Sequence, residues 1–135
     1  MPFEDDAALQ GNVQLARVLI DKSWWTTRDD GTERPSSMAF LDSLNEASCF
    51  ILSETDARLI AQRFPGKKLG IVSAEAARDA GFIVARDPEG GGGIPGHVVL
   101  VQRRVAPRTK QHKKLAGQLA LTGSVRDIGN SPPNS

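Results

Sequence analysis

Runs of apolar residues divide the chain into short candidate strands. The clearest run is residues 97–103, His-Val-Val-Leu-Val-Gln-Arg, and residues 13–20 form a second one. Both are rich in β-branched side chains, which favour extended structure. A helix over residues 7–20 is the alternative for the second run, although Gly11-Asn12 would weaken its interior. Three further strands are predicted at residues 47–52, 69–72 and 82–86.

Capping residues and turn formers predict short helices between these strands. Ser36 or Ser37 can cap a helix that follows Pro35. Ser53 to Asp56 has the spacing of a capping box, and Ser73 is suited to cap a further helix. The predicted helices are residues 38–44, 54–64 and 74–80, the last ended by Gly81, with a weak helix within 104–123.

The order of these elements predicts an α+β fold around a small mixed sheet of about five short strands. Several connections are too short for a full crossover between parallel strands, which argues against an α/β fold. We expect a flexible leader over residues 1–12 and a single domain over residues 13–103. A basic arm over residues 104–123 and a disordered tail over residues 124–135 would follow.

Composition narrows the class of protein. The chain has 135 residues, five Phe, two Trp and no Tyr, so aliphatic residues must carry the core. Its apolar runs are far shorter than the roughly 20 residues that span a bilayer, and its acidic start lacks the features of a secretory signal. Cys49 is the only cysteine, which excludes an intrachain disulfide. We expect a cytoplasmic protein that does not contact a membrane.

Charge is distributed unevenly along the chain. Residues 1–60 contain 11 acidic and 5 basic residues, whereas residues 61–135 contain 5 acidic and 12 basic ones. Within the basic half, residues 103–114 hold no acid, and phosphate backbones attract such a stretch. No aromatic residues are interleaved to stack on bases, so weak nucleic-acid binding competes with a solvated basic arm. The candidate contacts are Arg103, Arg104, Arg108, Lys110, Lys113 and Lys114.

The residues around Pro35 suggest a site for an anion. Ser36 and Ser37 at a helix start would offer free amides, and Arg34 could close over the same ligand. His97 stands at the head of its strand, where an imidazole can serve as acid, base or ligand contact. Arg17 lies within an apolar strand and therefore needs a carboxylate or a ligand. These five residues are the candidate ligand-binding set.

Other kinds of site receive less support. Two His and one Cys cannot assemble a zinc site without carboxylates, so no metal is expected. Cys49 sits in an apolar strand and is expected to be buried, and a Cys49–His97 nucleophile pair lacks an orienting carboxylate. The glycine run at residues 90–93 lacks the Lys-Ser/Thr and the helix that follow a phosphate loop. A linker or mobile lid explains that run better, and no cofactor is expected.

Two resemblances accompany these motifs. The pattern Arg34-Pro35-Ser36-Ser37-x-x-Phe40, followed by Asp87-Pro88 and His97-Val98-Val99, resembles a group of small bacterial proteins with no assigned activity. That likeness covers residues 13–101 and implies domain limits only.

The chain is also similar to ADP-ribosyltransferase-like folds, which combine a strand Arg or His, a later Ser and a catalytic Glu. This likeness would give those roles to Arg17, to Ser36 or Ser37, and to Glu46 or Glu54. The family's Glu-x-Glu pattern is absent from this sequence. The resemblance implies an NAD-using enzyme.

Taken together, the motifs favour a small non-enzymatic module that binds a partner protein or an anionic ligand. Arg34, Ser36, Ser37 and His97 would form its recognition surface, with the glycine run as a mobile edge. The NAD-using enzyme and weak nucleic-acid binding are the alternatives.

Overall fold

Six strands form one antiparallel sheet in the computed structural model, which describes residues 3–128. A separate two-stranded hairpin and three α-helices complete an α+β fold. The strands are β1 Gln14–Leu19, β2 Trp25–Thr27, β3 Glu33–Pro35, β4 Ala47–Ile51, β5 Lys68–Ser73, β6 Phe82–Arg86, β7 His97–Gln102 and β8 Ser124–Asp127. The helices are α1 Ala57–Arg63, α2 Ala74–Asp79 and α3 Lys110–Leu121. Short 3₁₀ helices cover Lys22–Trp24, Ser37–Phe40 and Pro88–Gly91.

The order of strands in the large sheet is β6-β7-β4-β1-β5-β8, and every neighbouring pair is antiparallel. β1 lies in the interior of the sheet and pairs with β5 along its whole length. Its pairing with β4 is much shorter and consists only of Leu15 opposite Ile51 and Ala16 opposite Phe50. Beyond these two pairs, β1 and β4 do not form a ladder.

The two faces of the sheet are covered differently. Leu15 and Leu19 of β1 belong to the larger apolar cluster, to which α2 and α3 also contribute. The buried members of that cluster from the helices and the 3₁₀ turn are Ala39, Phe40, Ala74, Ala77, Ala116, Leu119 and Ala120. Ala16 and Val18, which alternate with them, belong to a smaller cluster with Ile60 of α1. The smaller cluster also contains Phe50, Leu69, Ile71 and Ile94.

All five predicted strands are present, and the helix considered for residues 7–20 is not formed. The predicted mixed sheet is wrong, because every pair in both sheets is antiparallel. The estimate of about five strands is also too low. β2 and β3 form a hairpin that was not predicted, and β8 lies in the segment predicted to be a disordered tail.

Two of the predicted helices begin at a different residue or are shorter. The helix expected over residues 38–44 is instead the four-residue 3₁₀ helix Ser37–Phe40, and no side chain caps it. The expected capping box at Ser53 does not form, because the Asp56 side chain caps α1 by accepting from the Arg58 N–H. The Ser73 cap of α2 is confirmed, and its hydroxyl accepts from the Ala76 N–H.

Ordered structure continues on both sides of residues 13–103, the range predicted for the domain. The expected leader is held in place at Asp6, whose N–H donates to the Val84 carbonyl at 2.8 Å, and at Leu9, which is buried. Beyond residue 103, α3 contributes to the larger core and β8 pairs with β5. Residues 124–127 are therefore ordered, and residues 129–135 lie outside the described part of the chain. No helix within residues 3–128 has the length and apolar character needed to cross a membrane.

Candidate functional site

A cavity of about 260 Å³ lies beside the point where β1 and β4 separate, and residues of both apolar clusters line it. Its walls come from separate parts of the chain: β1, the turn before β2, β4, the end of α1, the β6–β7 connection and the first residue of β7. The lining residues are Arg17, Val18, Ile20, Trp24, Asp42, Ser48, Phe50, Arg63, Phe64, Gly90, Gly91 and His97.

The short pairing between β1 and β4 explains why a cavity can form here. The β1–β4 ladder ends after Ala16, so the backbone of β4 before Phe50 has no partner in β1. The Arg17 side chain fills this gap: its Nη1 donates to the Ser48 carbonyl at 2.9 Å, and its Nε donates to the Ala39 carbonyl at 2.7 Å. Arg17 thus links β1, β4 and the Ser37–Phe40 turn beside the cavity.

Arg17 is a buried cation whose ion-pair partner within residues 3–128, Asp42, lies at a long distance. Only 7% of its surface is exposed, and burial lowers the pKa of its guanidinium from the ordinary value. The nearest carboxylate oxygen, on Asp42, is 3.9 Å from Nη2. Trp24 covers the guanidinium with its ring centroid 4.7 Å away, a cation–π contact. Buried charges are normally paired closely, so this guanidinium is suited to an incoming anion.

Cys49 does not supply the missing negative charge. It is fully buried, and burial raises the pKa of its thiol to about 12. The thiol is therefore neutral near pH 7, and the expected burial of Cys49 is confirmed. The raised pKa of the Cys49 thiol also argues against a Cys49–His97 nucleophile pair, because the thiolate is the nucleophilic form.

His97 is buried with one of its two ring nitrogens unpaired. Only 3% of its surface is exposed. Nδ1 donates to the Asp87 carbonyl at 2.6 Å, and a carboxylate oxygen of the same Asp87 lies 3.6 Å from Nδ1. Nε2 is buried and has no hydrogen-bond partner among residues 3–128. The ring packs edge-on against Phe50 with the ring centroids 5.3 Å apart.

The glycine run packs closely on His97, so its backbone covers the imidazole. A Cβ added at Gly90 would lie 2.9 Å from His97 Cε1 and would overlap the Asp87 carboxylate. A Cβ at Gly91 would lie 2.9 Å from His97 Cβ. Such separations are shorter than carbon atoms tolerate, so only glycine fits at either position. The run is a fitted cover over the histidine, a role that the linker prediction missed.

Arg63 adds a second cation to the cavity wall. It ends α1, is exposed, and donates from Nη2 to the Gly92 carbonyl at 2.7 Å, which ties α1 to the β6–β7 connection. The remaining walls are largely apolar, with Phe50 and Phe64 among them. The cavity thus combines two guanidinium groups and an imidazole with aromatic side chains.

Of the five predicted ligand-binding residues, the structure brings together Arg17 and His97, and the other three do not line this cavity. Arg34 lies on the β2–β3 hairpin opposite Thr26. The Ser36 hydroxyl donates to the Ser23 carbonyl at 2.6 Å, so it serves the local fold. Ser37 begins a 3₁₀ helix that is too short to form an anion site. Arg34, Ser36 and Ser37 therefore do not contribute to this cavity, and their role as a recognition surface stays a prediction.

The arrangement implied by the ADP-ribosyltransferase likeness is not assembled around Arg17. Neither serine lines the cavity beside Arg17, and neither Glu46 nor Glu54 does so. Glu54 instead forms a two-pronged ion pair with Arg86 at 2.8 and 2.9 Å, and this pairing lowers the pKa of the Glu54 carboxyl.

The six predicted nucleic-acid contacts are all exposed and lie in and before the first turns of α3. Arg103 donates to the Phe3 carbonyl at 2.9 Å. No ion pair joins any of the six to a carboxylate within residues 3–128. His112 lies within the same basic stretch of the sequence and is in contrast completely buried.

The other polar and aromatic walls of the cavity were missed in the sequence. Trp24 lines the cavity and also packs against the larger apolar cluster. Asp42, Phe50, Arg63 and Phe64 carry no local motif that marks them. Only the pairing of Phe50 opposite His97 in neighbouring strands brings the two together.

Within residues 3–128, no three His, Cys, Asp or Glu side chains are grouped so that they could hold a metal ion. Comparison with known proteins adds no identity: no family model matches the chain, and neither a curated protein nor a solved structure is detectably similar.

Proposed function

We propose that the protein is a binding module for a small organic anion, which enters the cavity and pairs with Arg17. The observation that carries this proposal is a buried guanidinium whose nearest carboxylate oxygen is 3.9 Å away. A carboxylate ligand would supply a closer counterion and accept the N–H donors that Ala39 and Ser48 leave unused.

The charge and size of the cavity favour a monoanion of modest size. Asp42 lies near Arg17 and would repel a doubly charged phosphate more than a singly charged carboxylate. A volume of about 260 Å³ equals the liquid volume of roughly nine water molecules. Such a space suits a ligand the size of benzoate and is small for a dinucleotide such as NAD.

The walls favour a ligand with an apolar body. Trp24, Phe50 and Phe64 supply aromatic surface, and Val18 and Ile20 add aliphatic surface. Pockets of this composition bind through apolar contact, with a few polar groups fixing the orientation. Arg17 and Arg63 would hold the charged end of the ligand, and the rings would enclose the rest.

Titration with benzoate, followed by calorimetry and thermal unfolding, tests this proposal. Saturation at 100 times Kd stabilises the native state by about 2.7 kcal/mol, which gives a clear rise in Tm. We expect Arg17→Gln to weaken binding by about tenfold or more, since it removes a charge-assisted pair. Arg63→Gln, at the rim, should have a smaller effect and covers the case in which Arg17→Gln impairs folding.

Arg34→Gln is the matched control, because it makes the same charge change on the hairpin outside the cavity. Its affinity for benzoate should stay within about twofold of the wild type. Equal losses in Arg34→Gln and Arg17→Gln would show a general charge effect and contradict the cavity assignment.

A short oligonucleotide, tested in the same way, addresses the alternative of nucleic-acid binding. If it alone stabilises the protein, and the gain is lost in a Lys113→Glu, Lys114→Glu double variant, binding belongs to the basic surface of α3 instead.

A further inference from the structure

The hydrogen bond at His97 Nδ1 determines the tautomer of this imidazole. A backbone carbonyl oxygen can only accept, so the 2.6 Å contact with the Asp87 carbonyl requires a proton on Nδ1. In the neutral ring, Nε2 then carries a lone pair and no proton. The nearby Asp87 carboxylate, 3.6 Å from Nδ1, favours the same placement of the proton.

The Nε2 lone pair is an acceptor that the protein leaves unused. The atom is buried and has no hydrogen-bond partner within residues 3–128, while His97 itself lines the cavity. Buried polar atoms are normally paired, and an unpaired one carries a desolvation penalty. Gly90 and Gly91 pack on the ring at Cε1, Cγ and Cβ, so this glycine cover has to move aside for a ligand group to reach Nε2.

From this geometry, we infer that the ligand is a hydroxy acid, whose hydroxyl group donates to His97 Nε2 while its carboxylate pairs with Arg17. The inference rests on the proposed function and adds the second polar group of the ligand. A metal ion is a poorer occupant for Nε2, because no further His, Cys, Asp or Glu side chains are grouped around it in the described chain. A hydroxyl needs only the single acceptor that His97 offers.

The experiment compares 3-hydroxybenzoate and 4-hydroxybenzoate with benzoate and with the two matching methoxybenzoates, by calorimetry on the full chain. The methoxy compounds keep the ring, the charge and the ether oxygen but have no proton to donate. We expect at least one hydroxy acid to bind about tenfold more tightly than benzoate, and its methoxy analogue to lose that advantage. In His97→Phe, which keeps a planar ring, all these affinities should converge on that of benzoate.

The possible outcomes separate this inference from the proposal beneath it. If benzoate binds and depends on Arg63, but neither hydroxyl increases the affinity, the hydroxy-acid inference is wrong and the anion site stands. A hydroxyl preference that persists in His97→Phe also overturns the role of Nε2. If none of the acids binds, both proposals fail. Should His97→Phe not fold, the comparison of hydroxy and methoxy acids in the wild type decides alone.

Discussion

His97 and His112 are both buried, and neither Nε2 atom has a hydrogen-bond partner in the described part of the chain, yet the neutral rings carry their proton on different nitrogens. His97 Nδ1 donates to a carbonyl, so its Nε2 is an acceptor. His112 Nδ1 accepts from the Arg108 N–H at 2.9 Å, so the proton of the neutral ring is on Nε2. The backbone partner of one nitrogen therefore decides what the other nitrogen can do.

The two histidines lie in different surroundings, so their different tautomers have different consequences. His97 lines a cavity, whereas His112 lies at the start of α3 against Phe82, with the ring centroids 5.9 Å apart. The bond to His112 also supports Arg108, whose φ of 63° is uncommon for a residue with a side chain. His112 thus stabilises the turn into α3, and His97 is positioned to meet a ligand.

The largest expected effect is on stability, and it distinguishes the α3 region around His112 from the cavity that His97 lines. Leu119 is buried on α3, in the cluster that covers the same face as His112. Leu119→Ala should lower the free energy of unfolding by about 2–5 kcal/mol, because a buried cavity replaces the lost methyl groups. Urea unfolding measures this loss. The Kd of the folded variant for benzoate should not change, and a large change would mean that the two regions are coupled.

The next effect is a pH dependence that belongs to His112. Burial lowers the pKa of His112 in the folded protein, while the unfolded chain titrates near the ordinary value of about 6.5. Between the two values the unfolded state binds more protons, so stability is full above about pH 6.5 and falls as the pH decreases. Protonation would also remove the acceptor that the Arg108 N–H uses.

His112→Phe tests this assignment by urea unfolding between pH 8 and pH 5. The variant should be less stable at pH 8 by about 1–3 kcal/mol, since the Arg108 N–H loses its acceptor. Its stability should also fall less steeply toward pH 5. Leu121→Ala is the control, because it changes an exposed residue of the same helix without removing a titratable group, and it should keep the wild-type slope. An unchanged slope in His112→Phe would assign the pH dependence to another group.

The smallest effect concerns the glycine cover over His97. Gly90→Ala should weaken benzoate binding by several fold, up to about tenfold, because the new Cβ displaces the cover from the imidazole and Asp87. Gly93→Ala is the control: its φ of 89° is strained for alanine, but no atom lies within 4 Å of the added Cβ. It should reduce stability by about 1–2 kcal/mol and leave the affinity unchanged. Equal affinities for the two variants would argue against a fitted cover.

Most of the sheet could be predicted from the sequence, because its strands are marked by local runs of β-branched residues. β7 and β6 were found with almost the observed bounds. β8, Ser124–Asp127, has no such run and is ordered by its pairing with β5, a contact between distant parts of the chain. In the same way, the basic residues before Leu115 suggest an exposed arm, whereas the later residues of α3 pack into the larger cluster.

The candidate site could be predicted only in part, for a similar reason. Arg17 and His97 stood out because a charged or polar group in an apolar strand needs a partner. The sequence analysis groups them with Arg34, Ser36 and Ser37, which are marked by a turn and a possible helix start. Strand register and the early end of the β1–β4 ladder determine which residues lie beside Arg17 and His97. Neither feature can be predicted from a single segment of the sequence.

The position of β1 has a consequence for the kinetics of folding. β1 lies between β4 and β5, and both of these partners follow it in the chain. Its edges therefore stay unpaired until two long loops have closed, at an entropic cost that precedes any gain from pairing. Domains organised in this way fold slowly compared with helical bundles. Until β5 arrives, the apolar segment around Leu15 and Leu19 is the stretch most exposed to association with other chains.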